Sequence, residues 1–130
     1  MKKFFTLTLE SANMLMREFE TGEGGVQMNK KIKTELTDKL FECILSMETI
    51  EECYQLFEDL CTVNEIQAIA QRMEVAAMLD AKRTYVEIAE KTGASTATIS
   101  RVNRCLHYGT DGYKLAIDRV KEKKEKENKA

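Results

Sequence analysis

RTYVEIAEKTGASTATISRVNRCLHY, residues 83–108, divides into two short helices about a tight turn. The spacing predicts a first helix over Tyr85–Glu90, a turn at Thr92-Gly93-Ala94 and a second helix over Thr96–Leu106. Ala89 falls where the helices cross, and its small side chain lets the backbones approach. Gly93 stands where the chain reverses, because glycine takes positive φ without steric cost. Ser95 is placed to cap the free N–H groups of the second helix. Ile88, Ile99 and Val102 then share an inward face, the last two at i, i+3 spacing. This is a helix-turn-helix pattern.

The outward face of the second helix carries Thr96, Ala97, Ser100, Arg101 and Arg104, with Ser95 at its start. A helix that enters the major groove needs short side chains near its N-terminus, so that its backbone reaches the base edges, and arginine for guanine and phosphate. The plainer reading is a solvated helix in an ordinary bundle.

Around this stretch, the composition sets limits. A chain of 130 residues holds one domain, or one domain with a tail, and its 43% hydrophobic content suffices for a core. Proline and tryptophan are absent, which fits an all-helical chain better than a sheet protein with its turn punctuation. No run approaches the length of a membrane span. MKKFFTLTL resembles a secretory start only superficially, since Glu10, Asn13 and Arg17 interrupt it and no small-residue cleavage site follows. A cytoplasmic location is the expectation. Cys43, Cys53, Cys61 and Cys105 lack the paired close spacing of a zinc site, and His107 is the one histidine. The thiols are expected reduced and largely buried. No nucleophile–base pair, phosphate-binding glycine loop or metal cluster is legible, so no enzyme and no cofactor is expected. His107 reads as an exposed helix-end residue.

Charge is distributed unevenly along the chain. Glu35 to Asp80 holds eleven acids against Lys39 and Arg72, a local −9, within an overall −2. Lys82 to His107 holds Lys82, Arg83, Lys91, Arg101 and Arg104 against Glu87 and Glu90, a local +3. A positive face on an acidic body is compatible with DNA, because attraction to phosphate is short-ranged at cellular salt.

Residues 1–27 form an N-terminal extension unlike the rest of the chain. Glu23-Gly24-Gly25 is encodable by a purine-rich stretch of ribosome-binding type, with Val26-Gln27 as spacer, which makes Met28 a second translation start. An ordinary flexible extension is the alternative. The helical domain is expected over 28–120. Ile32, Leu36, Leu40, Ile44 and Met47 predict a first amphipathic helix of about four turns. Thr49, with Glu52 as capping-box partner, opens a second that turns Cys53, Leu56, Phe57 and Leu60 inward. Thr62 or Asn64 caps a third, with Ile66, Ile69, Ala70, Met73, Ala76 and Ala77 along one side. Small residues in such a stripe mark close helix packing, including across a dimer interface. Arg72, the lone cation of that helix, reads first as solvated or salt-bridged. Gly109-Thr110-Asp111-Gly112 is a turn, with Asp111 placed to cap a last helix. Residues 121–130 alternate charge without an apolar stripe and read as a fraying, solvated tail rather than a DNA-binding arm, since acids offset many lysines.

FEDLCTVNEIQAIAQRMEVAAML followed by TYVEIAEKTGASTATISRVNRCLHYGTDGY resembles the tryptophan-repressor superfamily, in detail the YerC/YecD-type branch of tryptophan-repressor-like proteins. GASTATISRVNRCL is the most specific piece. The resemblance implies an all-α, six-helix, intertwined homodimer and a repressor-type transcription regulator bound to a palindromic operator in double-stranded DNA. Ser95, Thr96, Ala97 and Ser100 are then expected at base edges, and Thr84, Tyr85, Arg101 and Arg104 toward phosphate or guanine. Matching the tryptophan-binding members gives Thr62, Arg72, Thr98 and Arg101 as a small-molecule effector pocket. Val102 stands where those members have glycine, and Cys105 replaces a serine, so tryptophan is not the expected occupant. The rival function is a helical protein-interaction module in which the helix-turn-helix is only a packing unit.

Overall fold

The computed structural model describes residues 29–130; the expectations for residues 1–27 and for a start at Met28 lie outside the described residues. Among the described residues six helices succeed one another: α1 Glu35–Leu45, α2 Ile50–Leu60, α3 Val63–Asp80, α4 Tyr85–Thr92, α5 Thr96–Tyr108 and α6 Gly112–Asn128. The described residues contain no strand. The all-α, six-helix expectation holds.

Hydroxyl side chains start five of the six helices. Thr34, Thr49, Thr62, Thr84 and Ser95 are extended residues whose oxygens accept the N–H three positions on. Thr49 caps as expected, but the Glu52 carboxylate accepts the Glu48 N–H at 2.7 Å instead of closing a box on Thr49. The complete capping box is Thr84 with Glu87. Asp111 makes no side-chain cap; it sits in the left-handed region at φ 63° and serves the reversal before α6. Gly109 is obligatory in that turn, because a Cβ there would collide with the Cys105 carbonyl oxygen.

The core lies entirely in the C-terminal two-thirds of the described chain. Val75, Ala76 and Leu79 of α3 meet Ile88, Ala94, Ile99, Val102 and Ile117, so α3 is the surface on which α4, α5 and α6 pack. The fully buried positions of α3 are Val75, Ala76 and Leu79, with Met73, Ala77 and Met78 packed against the same core. Of the expected stripe Ile66, Ile69, Ala70, Met73, Ala76 and Ala77, the last three join this core and the first three do not. The helix is apolar on more than one side, and this chain fills one of them. α1 and α2 contribute no buried residue at all. α1 is three turns rather than four, with Ile32 in the turn ahead of it. The thiols are free as expected but not largely buried: Cys43 and Cys105 are exposed, and Cys53 and Cys61 half-buried.

Asp80, at the end of α3, ties down α6. Lys121 Nζ donates to Oδ2 at 2.8 Å and Lys114 Nζ to Oδ1 at 2.9 Å. Chiefly the Lys121 bond, then the Lys114 bond, hold the Asp80 carboxyl at about 2 against an ordinary 3.8. A carboxylate with a depressed folded pKa adds stability above its unfolded value, and that stability is lost as pH falls toward the folded one. Asp80→Asn is expected to lower stability by about 1–2 kcal/mol at neutral pH, the range for charged hydrogen bonds at a partly screened site. Urea midpoints of the two proteins should keep a constant gap above about pH 5 and converge as pH falls from about 4 to 2. A gap that ignores pH would separate the effect from the charge.

Candidate nucleic-acid interface

The corner between α4 and α5 is built by three local devices. Gly93 ends α4 in the left-handed region at φ 71°, donating its N–H to Ala89 O at 2.9 Å. Ala94 is buried at the turn, and Ser95 then caps α5, accepting the Thr98 N–H at 3.1 Å. Gln71 on α3 donates to Thr92 O at 3.0 Å, and Lys91 pairs with Glu74 at 3.7 Å, which fastens the end of α4 to α3. Ile88, Ile99 and Val102 are each 1% exposed or less, on the inward face the sequence assigns them. α4 runs two residues further than expected, through Thr92, and α5 two further, through Tyr108.

With that anchor, the rest of α5 is turned outward. Thr96, Ala97, Ser100, Arg101 and Arg104 are all exposed, in i, i+3 and i, i+4 relation along one side. Ser95 is exposed too, with its oxygen occupied by the cap. Thr84 and Tyr85 are exposed at the start of α4. The Thr84 N–H and hydroxyl are both engaged by Glu87, at 2.8 and 3.2 Å. That leaves less of Thr84 for a phosphate than its position suggests.

The cations of this face are unpaired among the described residues. Lys33, Lys39, Lys91, Lys114 and Lys121 each contact an acid. Among the described residues Arg101 and Arg104 form no ion pair, and neither do Lys82 and Arg83 at the corner before α4. Residue spacing counts Lys82 and Arg83 in the local charge without assigning them to the face. They directly precede the Thr84 cap and so stand at the start of α4. Lys82 is itself at positive φ, 62°, where the chain leaves α3.

Of the four residues matched to an effector pocket, Thr62 and Arg72 stand apart along α3, and Thr98 and Arg101 lie one turn apart on α5. Thr62 caps α3 and donates to Glu65 Oε1 at 2.9 Å, while Arg72 lies half-buried ten residues on, about 15 Å along the helix. Thr98 is half-buried, its hydroxyl 3.0 Å from that of Ser95, and Arg101 is exposed. Val102 is buried in the core with Ile99. Cys105 opens with Met73 and Tyr113 onto a separate cleft of about 550 Å³. A second, apolar cleft of about 420 Å³ lies between α2 and α3, lined by Ile50, Cys53, Tyr54, Phe57, Val63 and Ile66 among others.

No helix among the described residues is long and apolar enough to cross a membrane. Residues 35–121 match the family model described as Trp repressor protein. The chain is 60% identical over 92 residues to the uncharacterized protein YerC of Bacillus subtilis (strain 168), covering 71% of this chain and 88% of that one. Its structure is similar to that of a TrpR-like protein from Eubacterium eligens ATCC 27750, with 58% identity, a TM-score of 0.69 and coverage of 71% of this chain and 95% of the other. It is also similar to the structure of a candidate Trp repressor from Staphylococcus aureus, at 50% identity and a TM-score of 0.70, covering 73% and 96% of the two chains.

Proposed function

This chain belongs to the Trp repressor family, and from that premise we propose that it is a cytoplasmic, homodimeric, sequence-specific DNA-binding regulator of the repressor type. The observation that carries the reading is the outward face of α5: hydroxyls and exposed guanidinium groups on a helix anchored by Ile99 and Val102. Thr96, Ala97 and Ser100, with Ser95, are the base-reading group; Arg101 and Arg104, with Thr84 and Tyr85, are the phosphate and guanine group.

The dimer rests on what α1, α2 and the start of α3 leave uncovered. Leu36, Leu45, Ile50, Tyr54 and Val63 are each more than two-thirds exposed. Helices of 11 residues with no buried side chain are marginal in water without another surface to pack on. A second copy supplies that surface and sets two α5 helices into successive major grooves, roughly 34 Å apart on a palindromic site. An effector pocket using Thr62, Arg72, Thr98 and Arg101 together also needs two copies, given the length of α3 between the first pair. Tryptophan is not its occupant, because Val102 fills the core there; a smaller effector fits the reading.

Quantitative gel shifts on duplexes selected from random sequence test the reading. Arg104→Ala should weaken binding to every duplex by about tenfold and lower the salt slope by about one unit. Thr96→Ala should instead change the order of preference among duplexes. If neither substitution alters binding, α5 does not face DNA.

A further inference from the structure

The one histidine of the chain, His107, stands exposed in the last turn of α5. Its ring is held from one side. Nδ1 lies 2.9 Å from the carbonyl oxygen of Asn103, one turn back. A carbonyl oxygen only accepts, so Nδ1 carries the hydrogen and Nε2 is the nitrogen left for another partner. In the neutral ring Nε2 is an acceptor and offers nothing to an anion. Protonation turns it into a donor and adds a positive charge, while the bond to Asn103 is kept.

Helical geometry sets this residue on the face already described. His107 follows Arg104 by three positions and Ser100 by seven, and at about 100° per residue it falls within about 20° of Ser100 around the axis. Along the axis it stands about 10 Å beyond Ser100 and about 15 Å beyond Ala97. The major groove is about 12 Å wide. With Ala97 and Ser100 at base edges, a side chain so far along the same helix meets the phosphate wall of the groove.

α5 contains no acid from end to end, and its cation next to His107 is Arg104; the Tyr108 ring lies 6.4 Å away, centroid to centroid. The elements packed on α5 are α3, α4 and α6. On α3, Glu65 accepts the Thr62 hydroxyl, Glu74 pairs with Lys91, and Asp80 holds Lys114 and Lys121. On α4, Glu87 accepts the Thr84 N–H and Glu90 borders a cleft with Arg83 and Lys91. On α6, Asp118 pairs with Lys114. Neither these acids nor Asp111 in the intervening turn forms an ion pair with His107 among the described residues.

We propose that His107 is a phosphate-binding residue of the α5 face that engages DNA in its protonated form, with Nδ1 on the Asn103 carbonyl and Nε2 donating to a backbone phosphate oxygen. The proposal rests on the DNA-binding reading of α5. It makes affinity, but not preference among sequences, depend on pH over the range in which histidine changes charge, about 5 to 8. Binding takes up a proton, so the contact is fully made at the lower end and lost as pH rises.

The test compares the full chain with His107→Gln and His107→Lys, both exposed substitutions by good helix formers. Binding to a duplex selected from random sequence, and to an unrelated duplex of equal length, is measured at about pH 8 and about pH 5.5, from about 50 to 200 mM salt. The wild type should bind both duplexes about five- to tenfold more tightly at the lower pH, with a salt slope larger by about one unit. His107→Gln should lose that increment. His107→Lys should show the tighter binding and steeper slope at both pH values, because its charge is present throughout. All three should rank duplexes alike. An equal pH effect in the wild type and His107→Gln, with Arg104→Ala still weakening binding, would overturn this contact and leave α5 as the reader. A His107→Lys variant that binds like His107→Gln would overturn it too. Failure of the wild-type chain to retain any duplex at the lowest salt and lower pH would overturn both readings.

Discussion

Leu45→Glu combined with Tyr54→Glu is expected to leave the protein monomeric and to reduce binding to a two-half-site duplex by about a hundredfold or more. Both side chains are at least 70% exposed in the single chain, so placing charge there costs its core nothing. In a dimer the same positions become part of an apolar interface, where an unpaired carboxylate carries a penalty of several kcal/mol. Losing the dimer removes the second reading helix, and with it the gain that comes from tethering two weak contacts. Sedimentation should report about 14.9 kDa for the variant and twice that for the wild type. A wild-type chain that sediments as a monomer at micromolar concentration would end the dimer proposal. So would a variant that stays dimeric.

Ile99→Ala should destabilise the protein by about 3 kcal/mol, within the usual range for truncating a fully buried isoleucine. Ile99 is 1% exposed and belongs to a core of eight buried residues, none of them on α1 or α2. A loss of that size is a large share of the stability of such a domain. DNA binding should fall with it, because Ile99 is one of the two side chains that hold α5 outward face up. Thr96→Ala, one turn away and exposed, should change stability by no more than about 0.5 kcal/mol. Urea midpoints at one fixed protein concentration are the measure, since a dimer's apparent stability depends on concentration. A change below about 1 kcal/mol for Ile99→Ala would mean that the site collapses without a cavity.

The helix-turn-helix is legible because its determinants are local. A glycine that must take positive φ, a serine that caps and a pair of aliphatics one turn apart act within a few turns of chain. Gly93, Ser95, Ile88, Ile99 and Val102 accordingly stand where their spacing puts them. Capping by Thr49 and Thr62 is legible for the same reason. The inner face of α3 is legible only in part, at Met73, Ala76 and Ala77. Its two stripes are both apolar, and hydropathy does not say which is covered by the chain itself and which waits for another surface. Asp111 misleads in a similar way, because aspartate suits both a cap and a left-handed turn.

The sequence by itself determined the helical class, the caps at Thr49, Thr62 and Ser95 and the outward face of α5, since each depends on residues close to one another along the chain. Only the tertiary structure decided that the core of the described residues is confined to residues 75–117, that α1 and α2 present an unfilled apolar face, and that Asp80 holds α6 through Lys114 and Lys121. Those outcomes depend on which distant surfaces meet, and burial between remote segments leaves no periodic trace along the chain.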